Sequence, residues 1–242
     1  MITTLYYVIL AYFVLGAIAF GLIGRNKDKQ VQRELWTKYL TYLLLIHLLF
    51  GCMVFFPDYF IILASLIGLR GFYELTRLHW RHGHGVSLAV YVRASLVYSL
   101  LLIPFLLFSA MEQGALLFVF VVVMVFDAFS QISGQLMGGR KLVPSVSPGK
   151  TISGSAGGAT LAIITAVMVR SLIDAPWPAA LLISAIVVIF ALLGDLLASF
   201  YKRQHQVKDY GNLLPGHGGF LDRFDAFIAA GAAMYLINSL IS

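Results

Sequence analysis

The strongest constraint on the fold is a series of apolar runs, each about 20 residues long, that recurs along the chain. A helical run of that length crosses a hydrocarbon core roughly 30 Å thick, and a helix satisfies its own backbone hydrogen bonds in lipid. Charged residues make up only 12% of the 242 residues, whereas about a quarter of a typical soluble domain is charged. The sequence therefore predicts an all-α, polytopic integral membrane protein.

We expect about eight transmembrane helices. All but Arg70 and Arg170 of the 17 Lys and Arg residues lie in four alternate loops, which the positive-inside rule places in the cytoplasm with both termini outside. The same distribution explains the net charge of +6 without nucleic acid as a partner. No linker or internal repeat divides the chain, so we expect one membrane domain over residues 1–242. The predicted spans are residues 3–23, 38–56, 59–76, 88–109, 114–136, 155–173, 178–200 and 224–241.

A few polar residues of the N-terminal half have two interpretations each. Arg70 and Glu74 are four residues apart in a predicted helix, so they share a face and can pair. An internal ion pair is favoured there over direct catalysis, although charges inside spans are often functional. His79, His82 and His84 allow a metal site, but we favour a solvated basic loop.

Two polar clusters lie in the C-terminal half, residues 115–242. Asp127 follows an unbroken apolar run and needs a cation or a donor at membrane depth. Bundle packing and contact with a metal or nucleotide explain it equally well. The next loop is rich in Gly, Ser and Pro and contains Ser147, Lys150 and Thr151. It is interpreted either as an anion site built on backbone N–H groups or as an ordinary connection, because its spacing does not match a GxxxxGK[ST] phosphate loop.

The densest polar segment is Ser199–Asp225, between the last two predicted spans. Asp195 precedes it in an otherwise apolar helix, and Asp222 lies just before the final span. Two helices joined by a cytoplasmic loop can therefore bring both carboxylates together. Such hard oxygen ligands suit Mg²⁺, which takes one or two carboxylates plus substrate oxygens. The basic residues that can then neutralise a polyphosphate are Lys202, Arg203, Lys208 and Arg223.

The segment resembles the signature of the phosphatidate cytidylyltransferases (CDP-diacylglycerol synthases). That signature reads S-x-x-K-R-x4-K-D-x-G-x2-L-P-x-H-G-G-x-x-D-R-x-D, and the chain matches every fixed position; only Tyr201 is unusual, where the family favours an aliphatic residue. Ser147–Thr151 extends the resemblance upstream. The chain departs from the family at residues 127–135, which read DAFSQISGQ in place of D-x-x-A-Y-x-x-G-R, and at Ser153, which replaces an acidic residue. This departure leaves open which lipid phosphate and which nucleotide are used.

The resemblance implies a reaction and a set of residue roles. A lipid phosphate oxygen attacks the α-phosphorus of CTP, giving CDP-diacylglycerol and pyrophosphate in phospholipid biosynthesis. Mg²⁺ is expected on Asp195 and Asp222, and a second cation is an option. The expected catalytic residues are Asp195, Lys202, Arg203, Lys208, Asp209, Asp222, Arg223 and Asp225. The expected substrate-binding residues are Asp127, Ser147, Lys150, Thr151, His217, Gly218 and Gly219.

The expected partners are CTP, phosphatidate or a related lipid phosphate, and the bilayer, with a homodimer as an open option. We expect the inner (plasma) membrane, with a polar active-site cleft that faces the cytoplasm. Two alternatives remain. A CTP-dependent lipid kinase would release CDP instead of pyrophosphate. An ion-coupled transporter would use the intramembrane Asp127 and Asp195, but the chain lacks the internal repeat that such folds often carry.

Overall fold

The computed structural model describes residues 2–25, 28–82, 86–211 and 218–241. Over these residues the chain forms eight α-helices and one antiparallel two-stranded hairpin, so the prediction of a predominantly helical membrane protein is confirmed. The elements are α1 (Ile2–Gly24), α2 (Lys29–Phe55), α3 (Phe60–His82), α4 (Leu88–Phe108), α5 (Gln113–Met137), β1 (Lys141–Val143), β2 (Ser147–Thr151), α6 (Ile152–Met168), α7 (Trp177–Gln204) and α8 (Leu221–Ile241).

Each of the eight helices overlaps one predicted span, but they differ in length and composition. In the described part of the chain, six helices are long and apolar enough to cross a membrane: α1, α2, α3, α4, α5 and α7. α6 is apolar but has only 17 residues, at the lower limit for a span. α8 carries Asp222 in its first turn, so its polar start lies where the preceding loop ends.

Three helices extend beyond the predicted spans into segments that the sequence analysis treats as loops. α2 begins at Lys29, α3 continues to His82 and α7 continues to Gln204. No Gly or Pro interrupts these charged segments, and Lys, Arg, Gln and Leu are good helix formers. The charged ends therefore continue the helices past the apolar spans. As a result, Lys38 and Lys202 lie on rigid helices.

α5 is the central helix of the bundle. Its residues from Ala115 to Phe126 are all buried, and it contacts α1, α2, α6, α7 and α8. A helix that is apolar on all sides is stable only when it is surrounded, which explains the unbroken apolar run before Asp127. α8 is also largely buried between Ala226 and Met234 and contacts α3, α4 and α7 as well as α5.

Small residues bring the helices of the C-terminal half into close contact. A Cβ atom at Gly158 of α6 would lie 2.6 Å from the backbone oxygen of Phe126 on α5. A Cβ atom at Gly194 of α7 would lie 2.6 Å from the backbone oxygen of Asp225 on α8. Small residues at these crossings allow the backbones to approach. Because Asp195 follows Gly194, this contact also places Asp195 beside the start of α8.

A β-hairpin occupies the segment that the sequence analysis interprets as a loop between two spans. Lys141 pairs with Thr151 and Val143 pairs with Ser147 across its two strands. The side chain of Thr151 then accepts a hydrogen bond from the Gly154 N–H at 3.0 Å and caps α6. The hairpin therefore positions Lys150 next to the start of a helix, which a flexible loop would not do.

Candidate active site

A cavity of about 740 Å³ lies where α1, α2, α5, α7, α8 and the hairpin meet. Its volume is within the roughly 300–1,000 Å³ typical of ligand sites. α1 and α2 supply mainly aromatic side chains to its wall, and the C-terminal half supplies most of the charged ones. The predicted site residues that line the cavity are Asp127, Lys150, Thr151, Asp195, Lys202, Lys208, Asp209, Asp222, Arg223 and Asp225.

Asp222 is the most completely buried carboxylate of the cavity. Its side chain is 2% exposed and forms an ion pair at 2.5 Å with Lys202, whose side chain is 9% exposed. The other carboxylate oxygen accepts hydrogen bonds from the backbone N–H groups of Tyr210 at 2.9 Å and Gly219 at 2.8 Å. Charge and hydrogen-bond partners together offset the cost of burying this pair. Asp222 thereby joins α7, α8 and the loop between them.

Asp195 forms the second ion pair of the cavity, with Lys150 of β2. The hydroxyl of Ser199, one turn later on α7, donates to the other oxygen of Asp195 at 3.3 Å. The pair connects the hairpin to α7, two parts of the chain that are distant in sequence. The two carboxylates predicted as metal ligands are therefore each neutralised by one lysine.

Asp127 and Asp225 add negative charge to the same cavity, and neither forms an ion pair within the described residues. Asp127 is repelled by Asp195 and attracted by Lys150 and Arg223. Asp225 is repelled by Asp195 and Asp222 and attracted by Lys202, so these side chains are close enough to act on one another. Both carboxylates therefore interact with the residues of the two ion pairs.

Two buried polar atoms of the cavity residues are without hydrogen-bond partners among the described residues. They are the hydroxyl oxygen of Ser130 and the Nε atom of Arg223. Unsatisfied buried polar groups are costly, and they are commonly satisfied by a ligand, an ion or water. An anionic ligand fits Arg223, because its guanidinium group recognises phosphate oxygens well.

The carboxylates of the cavity also fit a divalent cation. The described residues form no cluster of three or more His, Cys, Asp or Glu side chains of the kind that encloses a metal ion. Mg²⁺ does not need such a cluster, because it is usually bound by one or two carboxylates together with substrate phosphates and water. Asp195 and Asp222 supply that donor set, and the lysines paired with them already mark two positions where positive charge is stabilised.

Glu74 lies outside the cavity but holds the start of α8. The predicted ion pair forms, with Arg70 Nη2 at 3.3 Å from Glu74 Oε1. The carboxylate of Glu74 also accepts from the N–H groups of Phe220 at 3.0 Å and Leu221 at 2.8 Å. A negative charge at a helix N-terminus is favourable. Because Asp222 is the next residue, Glu74 determines where that carboxylate lies.

Some predicted site residues lie away from the cavity wall. Arg203 Nε donates to the carbonyl oxygen of Val146 at 3.1 Å, so this side chain ties α7 to the turn of the hairpin. Gly218 has a φ of +82°, which favours glycine, and a Cβ there would lie 2.9 Å from the side chain of Asp209. The cavity lining also lacks Ser147 and Gly219. His217 lies outside the described residues.

Lys38 is a cavity residue that was not predicted from the sequence. The sequence pattern indicates the end of a basic loop at Lys38, whereas the side chain lines the cavity from α2 together with Tyr39 and Tyr42. The signal was present in the sequence, because these residues share one face of a helix if α2 begins before residue 38. Tyr210 was missed as well: its ring lies 5.3 Å from Lys202 Nζ, and burial raises the pKa of its hydroxyl well above the ordinary value.

His79 does not belong to a solvated loop, contrary to the interpretation favoured from the sequence. It lies on α3, is buried, stacks on Tyr91 and has its Nδ1 atom 3.4 Å from Nε2 of His205. Nδ1 of His205 lies 3.0 Å from the carbonyl oxygen of Tyr201. A carbonyl only accepts, so this nitrogen carries a proton. The histidine pair therefore joins the ends of α3 and α7.

Known proteins of one family are similar to this chain. Residues 2–241 match the family model described as the cytidylyltransferase family. The chain is 40% identical over 137 residues to the phosphatidate cytidylyltransferase of Bacillus subtilis (strain 168), which covers 54% of this chain and 51% of that protein. It is 43% identical over 129 residues to the phosphatidate cytidylyltransferase of Brucella abortus biovar 1 (strain 9-941), covering 52% and 47%.

A third relative is the phosphatidate cytidylyltransferase of Staphylococcus saprophyticus, which is 45% identical over 127 residues, covering 50% of this chain and 48% of that protein. The chain therefore spans about half the length of each of these curated relatives. The family model, in contrast, extends from residue 2 to residue 241. The protein therefore belongs to the cytidylyltransferase family.

Proposed function

We propose that the protein transfers a cytidylyl group from CTP to phosphatidate or a related lipid phosphate, giving CDP-diacylglycerol and pyrophosphate. The observation that carries this proposal is the composition of the cavity described above. It combines lysines, buried carboxylates and an unsatisfied arginine with an aromatic wall on membrane helices. The names of the curated relatives support the same pair of substrates.

The reaction requires positioning more than acid–base chemistry. An oxygen of the lipid phosphate forms a bond to the α-phosphorus of CTP, and the bond from that phosphorus to the bridging oxygen of the β-phosphate breaks. The electron pair leaves with pyrophosphate. The nucleophile is already anionic at neutral pH, so no general base is needed. Catalysis then depends on in-line alignment and on neutralising charge, to which Lys150, Lys202 and Lys208 would contribute together with a divalent cation.

Asp195 and Asp222 would hold Mg²⁺, as their oxygen donors and their shared cavity allow. When bound, the ion would supply charge neutralisation on the phosphates without proton transfer. Asp209 and Asp225 line the same cavity and would orient the basic side chains or hold a second cation. The backbone N–H groups of Tyr210 and Gly219 keep Asp222 in place throughout.

The protein is an integral membrane protein, and we place the cavity on the cytoplasmic side of the inner (plasma) membrane. The support for this orientation is the concentration of Lys and Arg in alternate connections and helix ends. The cytoplasm is also where a nucleoside triphosphate is available to the site.

The direct test uses purified protein, CTP labelled at the α-phosphate and dispersed phosphatidate, with and without Mg²⁺. We expect labelled CDP-diacylglycerol and unlabelled pyrophosphate, both formed only when Mg²⁺ is present. Asp222→Asn should lower turnover by at least about 100-fold, since a metal contributes several kcal/mol of charge stabilisation. The amide oxygen still accepts from Tyr210 and Gly219, but the NH₂ group faces the buried Lys202 ammonium group. The Tm of the variant is therefore measured together with its turnover, so that loss of the metal is distinguished from loss of the fold.

Asp58→Asn is the matched control, because Asp58 is exposed on the turn before α3 and does not line the cavity. It should turn over substrate like the wild type. Full activity in Asp222→Asn would refute the metal assignment. Release of CDP instead of pyrophosphate would identify a lipid kinase, and ion flux in liposomes without nucleotide turnover would identify a transporter.

A further inference from the structure

The wall formed by α1 and α2 is chemically different from the rest of the cavity. From α1 it presents Tyr12, Phe13, Gly16 and Phe20, which lie on one face of the helix. From α2 it presents Lys38, Tyr39 and Tyr42. Among the residues that the structure describes, Lys38 is the one charged side chain that α1 to α4 contribute to the lining.

Two tyrosine hydrogen bonds fix the face of α2 that carries Lys38. Tyr39 donates to the carbonyl oxygen of Phe13 on α1 at 3.0 Å, and Tyr42 donates to the carbonyl oxygen of Met124 on α5 at 3.2 Å. Lys38 directly precedes the first tyrosine and lies one turn before the second. Its position on the wall is therefore set by contacts to two neighbouring helices.

The depth of Lys38 follows from the directions of the helices. α2 and α5 are separated by two intervening spans, so they cross the membrane in opposite directions. Moving four residues back along α2, from Tyr42 to Lys38, covers about 6 Å. This corresponds on α5 to moving forward from Met124, past Asp127. Lys38 therefore lies at the level where the carboxylates of the cavity begin.

Arg223 lines the same cavity from α8. Its Nε atom is buried without a hydrogen-bond partner among the described residues. Lys150 and Lys202, in contrast, are each paired with a carboxylate. Lys38 and Arg223 are thus cations of the cavity that belong to neither of these ion pairs.

We propose that Lys38 and Arg223 bind the phosphate group of the lipid substrate, and that the α1–α2 wall directs its apolar part toward the membrane. This proposal rests on the proposed function and assigns the two substrates to different sides of the cavity. The nucleotide phosphates lie on the side of Lys150 and Lys202, where polar loops surround the cavity. The lipid phosphate lies opposite, because an aromatic wall on membrane helices suits a lipid and not a triphosphate.

The first experiment compares Lys38→Met, Lys38→Arg and Arg33→Met, with the KM for phosphatidate and for CTP measured separately. Arg33 is exposed on α2 and absent from the cavity lining, so its replacement controls for general attraction to anionic lipid. Lys38→Met should raise the KM for phosphatidate by about tenfold, as expected for one lost bond to a charged group, and leave the KM for CTP unchanged. Lys38→Arg should bring the KM for phosphatidate most of the way back to the wild-type value.

The second experiment does not depend on turnover. It measures the binding of phosphatidate and of diacylglycerol to the purified protein in nanodiscs without nucleotide. The wild type should prefer phosphatidate. Lys38→Met should reduce this preference by about tenfold, and Arg33→Met should leave it unchanged. If the wild type binds phosphatidate in this way but forms no CDP-lipid, the proposed function fails and the lipid site stands. The assignment of Lys38 is overturned if Lys38→Met raises the KM for CTP as much as the KM for phosphatidate, or if it leaves the KM for phosphatidate unchanged. It is also overturned if Arg33→Met has the same effect as Lys38→Met.

Discussion

Replacing Glu74 with Gln tests how the start of α8 is held. The Glu74 side chain is 2% exposed, and its carboxylate accepts from two backbone N–H groups at 3.0 and 2.8 Å while pairing with Arg70. An amide keeps one acceptor oxygen but places an NH₂ donor against the second N–H group. Hydrogen bonds to charged groups contribute about 1.5–3 kcal/mol each. The Arg70 side chain is 33% exposed, so solvent compensates for part of its loss.

We therefore expect Glu74→Gln to lower the free energy of unfolding by about 2–3 kcal/mol. For a chain of this size that corresponds to a decrease in Tm of about 5–10 °C, measured by intrinsic fluorescence in one detergent. Turnover should also fall, because Asp222 lies one residue after Leu221 and moves when the helix start is released. kcat should fall more than the KM for either substrate changes.

Glu112→Gln is the control for this prediction. Glu112 is exposed at the N-cap of α5, and its side chain makes no capping hydrogen bond. The same chemical change there should leave both Tm and turnover unaltered. A Glu74→Gln protein with the Tm and kcat of the control would refute the conclusion that this carboxylate positions α8.

Two further predictions concern the buried pair and the helix contacts. Lys202→Met leaves Asp222 buried without a cation and should lower the free energy of unfolding by about 3–5 kcal/mol. The double variant with Asp222→Asn should recover part of this loss when the thermal unfolding of the single and double variants is compared. Strictly additive effects would show that the pair is not coupled. Gly158→Ala forces a methyl group to 2.6 Å from the Phe126 oxygen. It should lower the free energy of unfolding by about 1–3 kcal/mol, which is measured as a lower Tm. Gly51→Ala, where a Cβ has no neighbour within 4 Å, should not lower the Tm, and equal values for the two glycine variants would contradict the close contact of α5 and α6.

The helices could be predicted from the sequence because each apolar run is long enough to specify one. Their ends could not, since the charged segments after residue 28 and before residue 205 continue the helices without a breaking residue. The same limitation concealed Lys38, which becomes a cavity residue only once α2 begins at Lys29. The hairpin was also missed, because a three-residue strand such as Lys141–Val143 has too little sequence pattern to distinguish it from a loop.

Most of the site residues predicted from the sequence line one cavity, but their partners could not be deduced. Asp195 and Asp222 were expected to meet, and both line the cavity. Nothing in the spacing indicates that Lys150 pairs with Asp195 while Lys202 pairs with Asp222. Glu74 contacts residues 146 and 147 positions later, a contact that depends on how α3 and α8 pack. The metal, the residue roles and the homodimer stay predictions.

The charge balance of the cavity connects these observations to the proposed chemistry. Of the described residues that line it, six are basic and five are acidic, so the cavity itself is close to neutral. This balance is expected at the edge of a membrane, where unpaired charge is costly. A near-neutral cavity does not by itself stabilise a triphosphate beside a lipid phosphate, because the two anions repel each other. Additional positive charge brought in with the substrates would reduce this repulsion, which is the physical reason to expect a divalent cation at Asp195 and Asp222.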